Sequence, residues 1–118
     1  MNRALGTQYE EKAMLYLEKQ GYHILEKNVN YRWGEIDIVA MDEALNDLVF
    51  VEVRYRSEQG MVSPEESITP TKIKRLKRAI ETYLVSPSFF LLGLHPNGIR
   101  IDLVGFEGES ILHWKSFI

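Results

Sequence analysis

The chain has 118 residues, 45% apolar and 26% charged, the balance of one folded domain over residues 1–118 rather than of a polar, disordered chain. No apolar run approaches the roughly 20 residues that cross a bilayer. The opening MNRALGTQYEEKA has no apolar stretch of the secretory-signal kind, so a cytoplasmic location without a membrane partner is expected. Cysteine is absent and His23, His95 and His113 lie far apart, which excludes disulfides, thiolate zinc sites and a cysteine nucleophile and leaves carboxylates, hydroxyls and basic groups for any chemistry.

Residues 6–20 read as a helix with Tyr9, Ala13, Tyr16 and Leu17 on one face and Gly21 as its stop. The period then changes. YHILEKNVN at 22–30 is a strand, Trp33-Gly34 a turn, and EIDIVAM at 35–41 alternates with period two. LVFVEVRY at 48–55 is β-branched, aromatic and almost wholly apolar, the pattern of a central strand covered on both faces. After a loop from Arg56 to Ile68, Thr69-Pro70 caps a second helix over 71–84, whose stripe Ile73, Leu76, Ile80, Tyr83 and Leu84 turns inward and its lysines and arginines outward. FFLLGL at 89–94 and IRIDLVGF at 99–106 read as a hairpin through His95-Pro96-Asn97-Gly98, and ILHWKSF at 111–117 as an edge strand. The order αβββαββ(β) implies an α/β fold, a mixed sheet flanked by helices.

Charge is distributed unevenly. The formal net charge is −3, but Arg54, Arg56, Lys72, Lys74, Arg75, Lys77 and Arg78 stand against Glu58, Glu65 and Glu66, a local +4 with −7 elsewhere. A basic segment in an acidic chain suits a polyanion bound in one place, or is simply a solvated helix face.

Acids also stand where the pattern asks for apolar residues. Glu52 shares a strand face with Phe50 and Arg54, and Glu35, Asp37 and Val39 share one on the neighbouring strand, opposite Ile36, Ile38 and Ala40. Paired as a hairpin, the two strands bring Asp37 and Glu52 to one side, where mutual repulsion calls for a shared cation, and hard oxygen ligands suit Mg²⁺ or Mn²⁺. Glu10 falls at the centre of the apolar face of the first helix. The plainer alternative is structural: Glu52 paired with Arg54, Asp37 with Arg32 or Arg56, and Glu10 favoured by the helix dipole.

LGTQYEEKAMLYLEKQGYHILEKN, GEIDIVA, VFVEVRYR, PEESITPTKIKRLKRA, IRIDLV and ILHWKSF together resemble the YraN family of small bacterial proteins along nearly the whole chain. That family is similar to restriction-endonuclease-like nucleases of the PD-(D/E)xK superfamily and to archaeal Holliday-junction resolvases. The resemblance implies a restriction-endonuclease-like fold and a Mg²⁺- or Mn²⁺-dependent endonuclease acting on DNA, including branched DNA. It places the metal-binding acid at Asp37, the second acid at Glu52, a metal-ligating carbonyl at Val53 and the first-helix glutamate at Glu10. The usual lysine falls on Arg54, a departure, because arginine cannot give up a proton near neutral pH; Lys72 is the candidate replacement amine. Arg56, Lys72, Lys74, Arg75 and Arg78 are expected to hold phosphates, and Tyr31, Trp33 and Tyr55 either stack on bases or lie buried. Arg54 also keeps open a non-catalytic nucleic-acid-binding or assembly protein of the same fold. Cutting two strands would suit a homodimer, which the sequence does not specify.

Overall fold

The structure, a computed structural model, describes residues 3–56 and 63–118, with residues 3–5 as backbone only. In chain order its elements are α1 (Arg3–Lys19), β1 (Tyr22–Tyr31), β2 (Gly34–Asp42), β3 (Asp47–Arg56), a 3-10 turn (Glu65–Ser67), α2 (Pro70–Leu84), α3 (Pro87–Leu91), β4 (Gly98–Glu107) and β5 (Ser110–Trp114). The five strands form one sheet in the order β1-β2-β3-β4-β5. Short turns make β1–β2, β2–β3 and β4–β5 antiparallel, whereas β4 returns through α2 and so lies parallel to β3. The most apolar strand of the sequence thus occupies the centre. Among the described residues no helix is long and apolar enough to cross a membrane.

Each face of the sheet carries its own core. Ala13 and Leu17 of α1 pack on Ile38, Ala40, Val49, Val51, Val104 and Phe106. On the other face Leu76, Ala79, Ile80 and Tyr83 of α2 pack on Ile36, Val39, Met41, Leu48 and Phe50. β3 serves both because its side chains alternate, which is why it had to be apolar throughout. Helix α2 starts where expected: Thr69 Oγ1 accepts the Lys72 N–H at 3.2 Å and Pro70 occupies the first turn.

The expected strand at 89–94 does not form. Ser86 accepts the Phe89 N–H through its hydroxyl and Pro87 opens α3, a single capped turn that takes the apolar run instead. FFLL has no alternation to favour a strand, and only Phe89 turns inward onto Tyr83 while Phe90 and Leu91 stay exposed. The hairpin expected through His95–Gly98 is therefore absent, and β4 follows a loop pinned by the Asn97 N–H on the Asn46 carbonyl at 2.8 Å. The closing strand ends at Trp114 rather than 117, because Ser116 adopts φ 51° and its N–H turns to Asp102. In the loop after Arg56, the expected segment 57–62 lies outside the described residues.

At the end of the sheet where β3 and β4 begin, Arg100 is almost wholly buried in a cage of acids. Its Nη1 donates to Asp42 at 3.0 Å and Asp47 at 3.1 Å, Nε and Nη2 grip Asp102 at 3.0 and 3.1 Å, and Nη2 also reaches the Tyr22 hydroxyl. Asp102 further accepts from His113 Nε2 at 2.8 Å and from the Ser116 N–H at 3.0 Å. Burial alone would raise its pKa, but the His113, Arg100 and Ser116 hydrogen bonds hold it down to about 2. A carboxyl depressed in this way contributes stability above its ordinary range, and that contribution is lost as pH falls toward 2. Removing one member of a buried ionic set costs about 3–5 kcal/mol, because the remaining charges are left uncompensated. Urea unfolding of Arg100→Met at pH 7 is expected to show a loss of that size, shrinking in acid as the stranded aspartates protonate; a loss below about 1 kcal/mol would show that the cage is well solvated.

Candidate nucleic-acid interface and acid cluster

The ladder between β2 and β3 runs from Asp42↔Asp47 to Ile38↔Val51 and stops there. One step further the register would set Asp37 opposite Glu52, and at that step the strands diverge. The Val53 N–H, which faces β2 without a ladder partner, donates instead to Asp37 Oδ2 at 2.8 Å. The sheet also changes its facing here. Ile36 packs in the α2-side core and Ile38 in the α1-side core, so the expected alternation of Ile36, Ile38 and Ala40 on one face is broken at Asp37. Across the ladder Asn28 stands opposite Asp37, between the pairs Lys27↔Ile38 and Val29↔Ile36, and takes φ 51°; the register is unbroken there, and the one-residue shift of this strand pair lies between Ile24 and Glu26.

Four carboxylates act on one another around this fork. Asp37 is buried; its pKa is pushed well up by burial, then by Glu52, Glu10 and Glu35, with the Val53 N–H opposing. Glu52 is raised by burial and by Glu35, against the pull of Arg54 and Lys72. Glu10, half-buried on α1, is raised by burial and Glu35, while a hydrogen bond from Asn28 and the charge of Lys27 oppose. Thus the three acids marked in the sequence sense one electrostatic neighbourhood, and Glu35 joins them. They are not drawn together as ligands: among the described residues no three His, Asp or Glu side chains have gathered around a point that could hold an ion. Glu52 is instead turned to Arg54, Oε1 to Nη2 at 2.8 Å, the pairing that strand spacing allowed.

A cleft of about 810 Å³ opens beside Glu52, between the β1–β2 turn and α2. Arg32, Arg54, Lys72, Lys74, Arg75 and Arg78 line it with Glu35 and Glu52, so six cations meet two acids. Of the residues expected to hold phosphates, Lys72, Lys74, Arg75 and Arg78 are here and Arg56 is not among the lining residues. Gly34 lets the turn close on the helix, since a Cβ there would stand 2.5 Å from the Arg75 carbonyl oxygen. That approach sets Trp33 under the Arg78 guanidinium, 4.5 Å from the ring centre, and nearly parallel to Tyr31 at 6.0 Å. Tyr55 stacks on Tyr9 at 4.3 Å on the α1 side, away from the cleft. Arg32 and Glu35 are site residues that the sequence reading does not single out; the signal for Glu35 is the GEID run, where it stands two residues before Asp37, and for Arg32 only its place beside that run.

The donor chemistry suits a hard divalent cation. Buried Asp37, whose proton affinity Glu52 raises, and partly buried Glu52, raised in turn by Glu35, offer hard oxygens only and would be relieved by a shared positive charge. Asp37, Glu52 and the Val53 carbonyl would hold it, once Glu52 leaves Arg54.

The profile of "Uncharacterised protein family UPF0102" matches residues 9–106. A UPF0102 protein of Carboxydothermus hydrogenoformans is 45% identical over 108 residues, 92% of this chain and 86% of that protein. One from Syntrophomonas wolfei is 50% identical over 91 residues, 76% of this chain and 77% of its own length. A solved structure titled "Crystal structure of SSO0001" is similar at a TM-score of 0.40 and 15% identity, over 95% of this chain and 50% of that one.

Carboxyls with raised pKa values favour the fold while protonated and disfavour it as they ionise, so their cost grows with pH. Asp37→Asn keeps an oxygen for the Val53 N–H and removes the charge. Its melting temperature is expected to exceed that of the natural chain at pH 8 by a few degrees, about 1 kcal/mol of relief, and to converge with it near pH 4. A lower melting temperature at pH 8 would show that the carboxylate is well compensated.

Proposed function

This chain belongs to the UPF0102 family, and we propose that it is a nucleic-acid-binding protein whose acid cluster, loaded with Mg²⁺ or Mn²⁺, hydrolyses phosphodiester bonds in DNA. The observation that carries this reading is that the cation-lined cleft opens onto Glu52, at the edge of the carboxylate cluster. A polyanion seated in the cleft brings its phosphates against the acids that would hold a metal. The resemblance to restriction-endonuclease-like nucleases and Holliday-junction resolvases points the same way, with branched DNA as the substrate to try first.

In this reading Lys74, Arg75 and Arg78 on α2 and Arg32 on the facing turn hold flanking phosphates, which gives affinity with little sequence readout. Asp37 and Glu52 would hold the ion, and Glu10 and Glu35 would add negative charge around it. A divalent ion supplies Lewis acidity to the scissile phosphate and to the attacking water. Lys72, whose charge lowers the pKa of Glu52 and which lines the cleft, is the amine that would steady charge on the phosphate. Arg54 keeps its proton and cannot act as a base.

A second reading is a non-catalytic binder or assembly protein of the same fold, favoured by the Glu52–Arg54 ion pair, which occupies the second acid. The two diverge in one assay. Incubation of branched and linear DNA with Mg²⁺ or Mn²⁺ is expected to yield cleavage by the natural chain and none by Asp37→Asn or Glu52→Gln, the latter guarding against contaminating nuclease. Binding without cleavage selects the second reading. Replacing Lys74, Arg75 and Arg78 together by Glu is expected to weaken binding at least tenfold on every sequence and flatten its salt dependence; unchanged affinity would make the basic face solvated surface only.

A further inference from the structure

Arg54 is poorly satisfied where it stands. One Nη meets Glu52 at 2.8 Å, while Nε is enclosed and has no hydrogen-bond partner among the described residues. A buried donor left without a partner is costly, so this position is held at a penalty. The side chain is nevertheless 22% exposed and lines the basic cleft with Lys72 and Arg75. A guanidinium satisfies Nε and Nη together when two oxygens of one planar or tetrahedral anion face it, a geometry that a backbone phosphate offers and the present contact with Glu52 does not. The same ion pair engages Glu52, which stands one step past the end of the β2–β3 ladder, as Asp37 does, and among the described residues no three acids have gathered.

We propose that Arg54 exchanges partners: a backbone phosphate entering the cleft takes the guanidinium, and the released Glu52 turns to Asp37 to complete the cation site. This rests on the reading of the cleft as a nucleic-acid site and adds to it a role for the residue that departs from the expected lysine. Nucleic acid and metal then bind with positive coupling, because each removes one half of the pair that obstructs the other. Coupling of this kind is reciprocal, and values of about 5–150-fold are usual. Arg54 acts here as a positioning residue for Glu52 and as a phosphate ligand, and no bond is made or broken at it.

Two binding measurements, each with one ligand alone, test the exchange without turnover. In the first, a fluorescent DNA duplex is titrated in EDTA. Glu52→Gln frees Arg54 and is expected to tighten binding about tenfold, and the gain is expected to vanish when Arg54→Met is added. A gain that survives in the double variant reflects only the loss of a repelling charge and overturns the exchange. In the second, Mn²⁺ is titrated calorimetrically without DNA at pH 8. Arg54→Met is expected to bind it about tenfold more tightly than the natural chain, whereas equal or weaker binding overturns the exchange. Arg54→Gln serves in both arms if circular dichroism shows that Arg54→Met is unfolded. If the natural chain binds neither duplex nor Mn²⁺, the reading of the site itself fails and the exchange with it; if it binds both and the variants do not shift as stated, only the exchange fails.

Discussion

The hydrogen bond from the Val53 N–H to Asp37 marks the place on which the rest of the site depends. Two central strands of a sheet are ordinarily laddered throughout, because every unpaired N–H inside a protein is costly. Here β2 and β3 separate just beyond Ile38↔Val51, and a side-chain carboxylate takes over the duty of a backbone carbonyl. That substitution lets an acid sit buried in the middle of the molecule. It also reverses the facing of β2, so that Ile36 and Ile38 feed opposite cores and Asp37 lies within electrostatic reach of Glu10 on α1 as well as Glu35 and Glu52.

Two buried aspartates, Asp102 and Asp37, show how environment decides the role of one residue type. Asp102 and Asp37 are both nearly inaccessible aspartates in strands. Around Asp102, Arg100, His113 and a backbone N–H more than offset desolvation, and the pKa falls to about 2. Around Asp37 the neighbouring charges are carboxylates and burial goes unopposed except by one N–H, so the pKa rises. The first arrangement ties β1, β4, β5 and the β2–β3 hairpin into one hydrogen-bonded unit centred on Arg100. The second leaves an excess of negative charge beside a cleft rich in positive charge, a local conflict of the kind that stable cores avoid and functional sites maintain.

The cleft depends on the same economy of backbone. Gly34 brings the β1–β2 turn against the Arg75 carbonyl, and Trp33 comes to rest under Arg78. The aromatic wall thereby fixes one arginine of α2 while Lys72 and Arg54 stay near Glu52. Helix α2 contributes its apolar stripe to the core and its charged face to the cleft, so a single amphipathic element does two jobs.

By itself the sequence determined the α/β class, the central place of LVFVEVRY, both long helices and their inward faces, and the anomalous acids Glu10, Asp37 and Glu52, since periodicity and capping are local properties carried by neighbouring residues. It also marked the basic face of α2 and the spacing that lets Glu52 meet Arg54. It misplaced FFLLGL, because a short apolar run has no period, and the choice between strand and helix fell to the Ser86-Pro87 cap and to a parallel β4 that needed no partner there. Only the tertiary structure decided that Asp37 sits at a fork, that Glu35 and Arg32 join the site, and that Arg100 gathers Asp42, Asp47, Asp102 and Tyr22. These depend on strand pairing and on contacts between residues far apart in the chain, and on a change of facing at Asp37 that sends Ile36 and Ile38 to opposite cores while the β1–β2 register runs on unshifted.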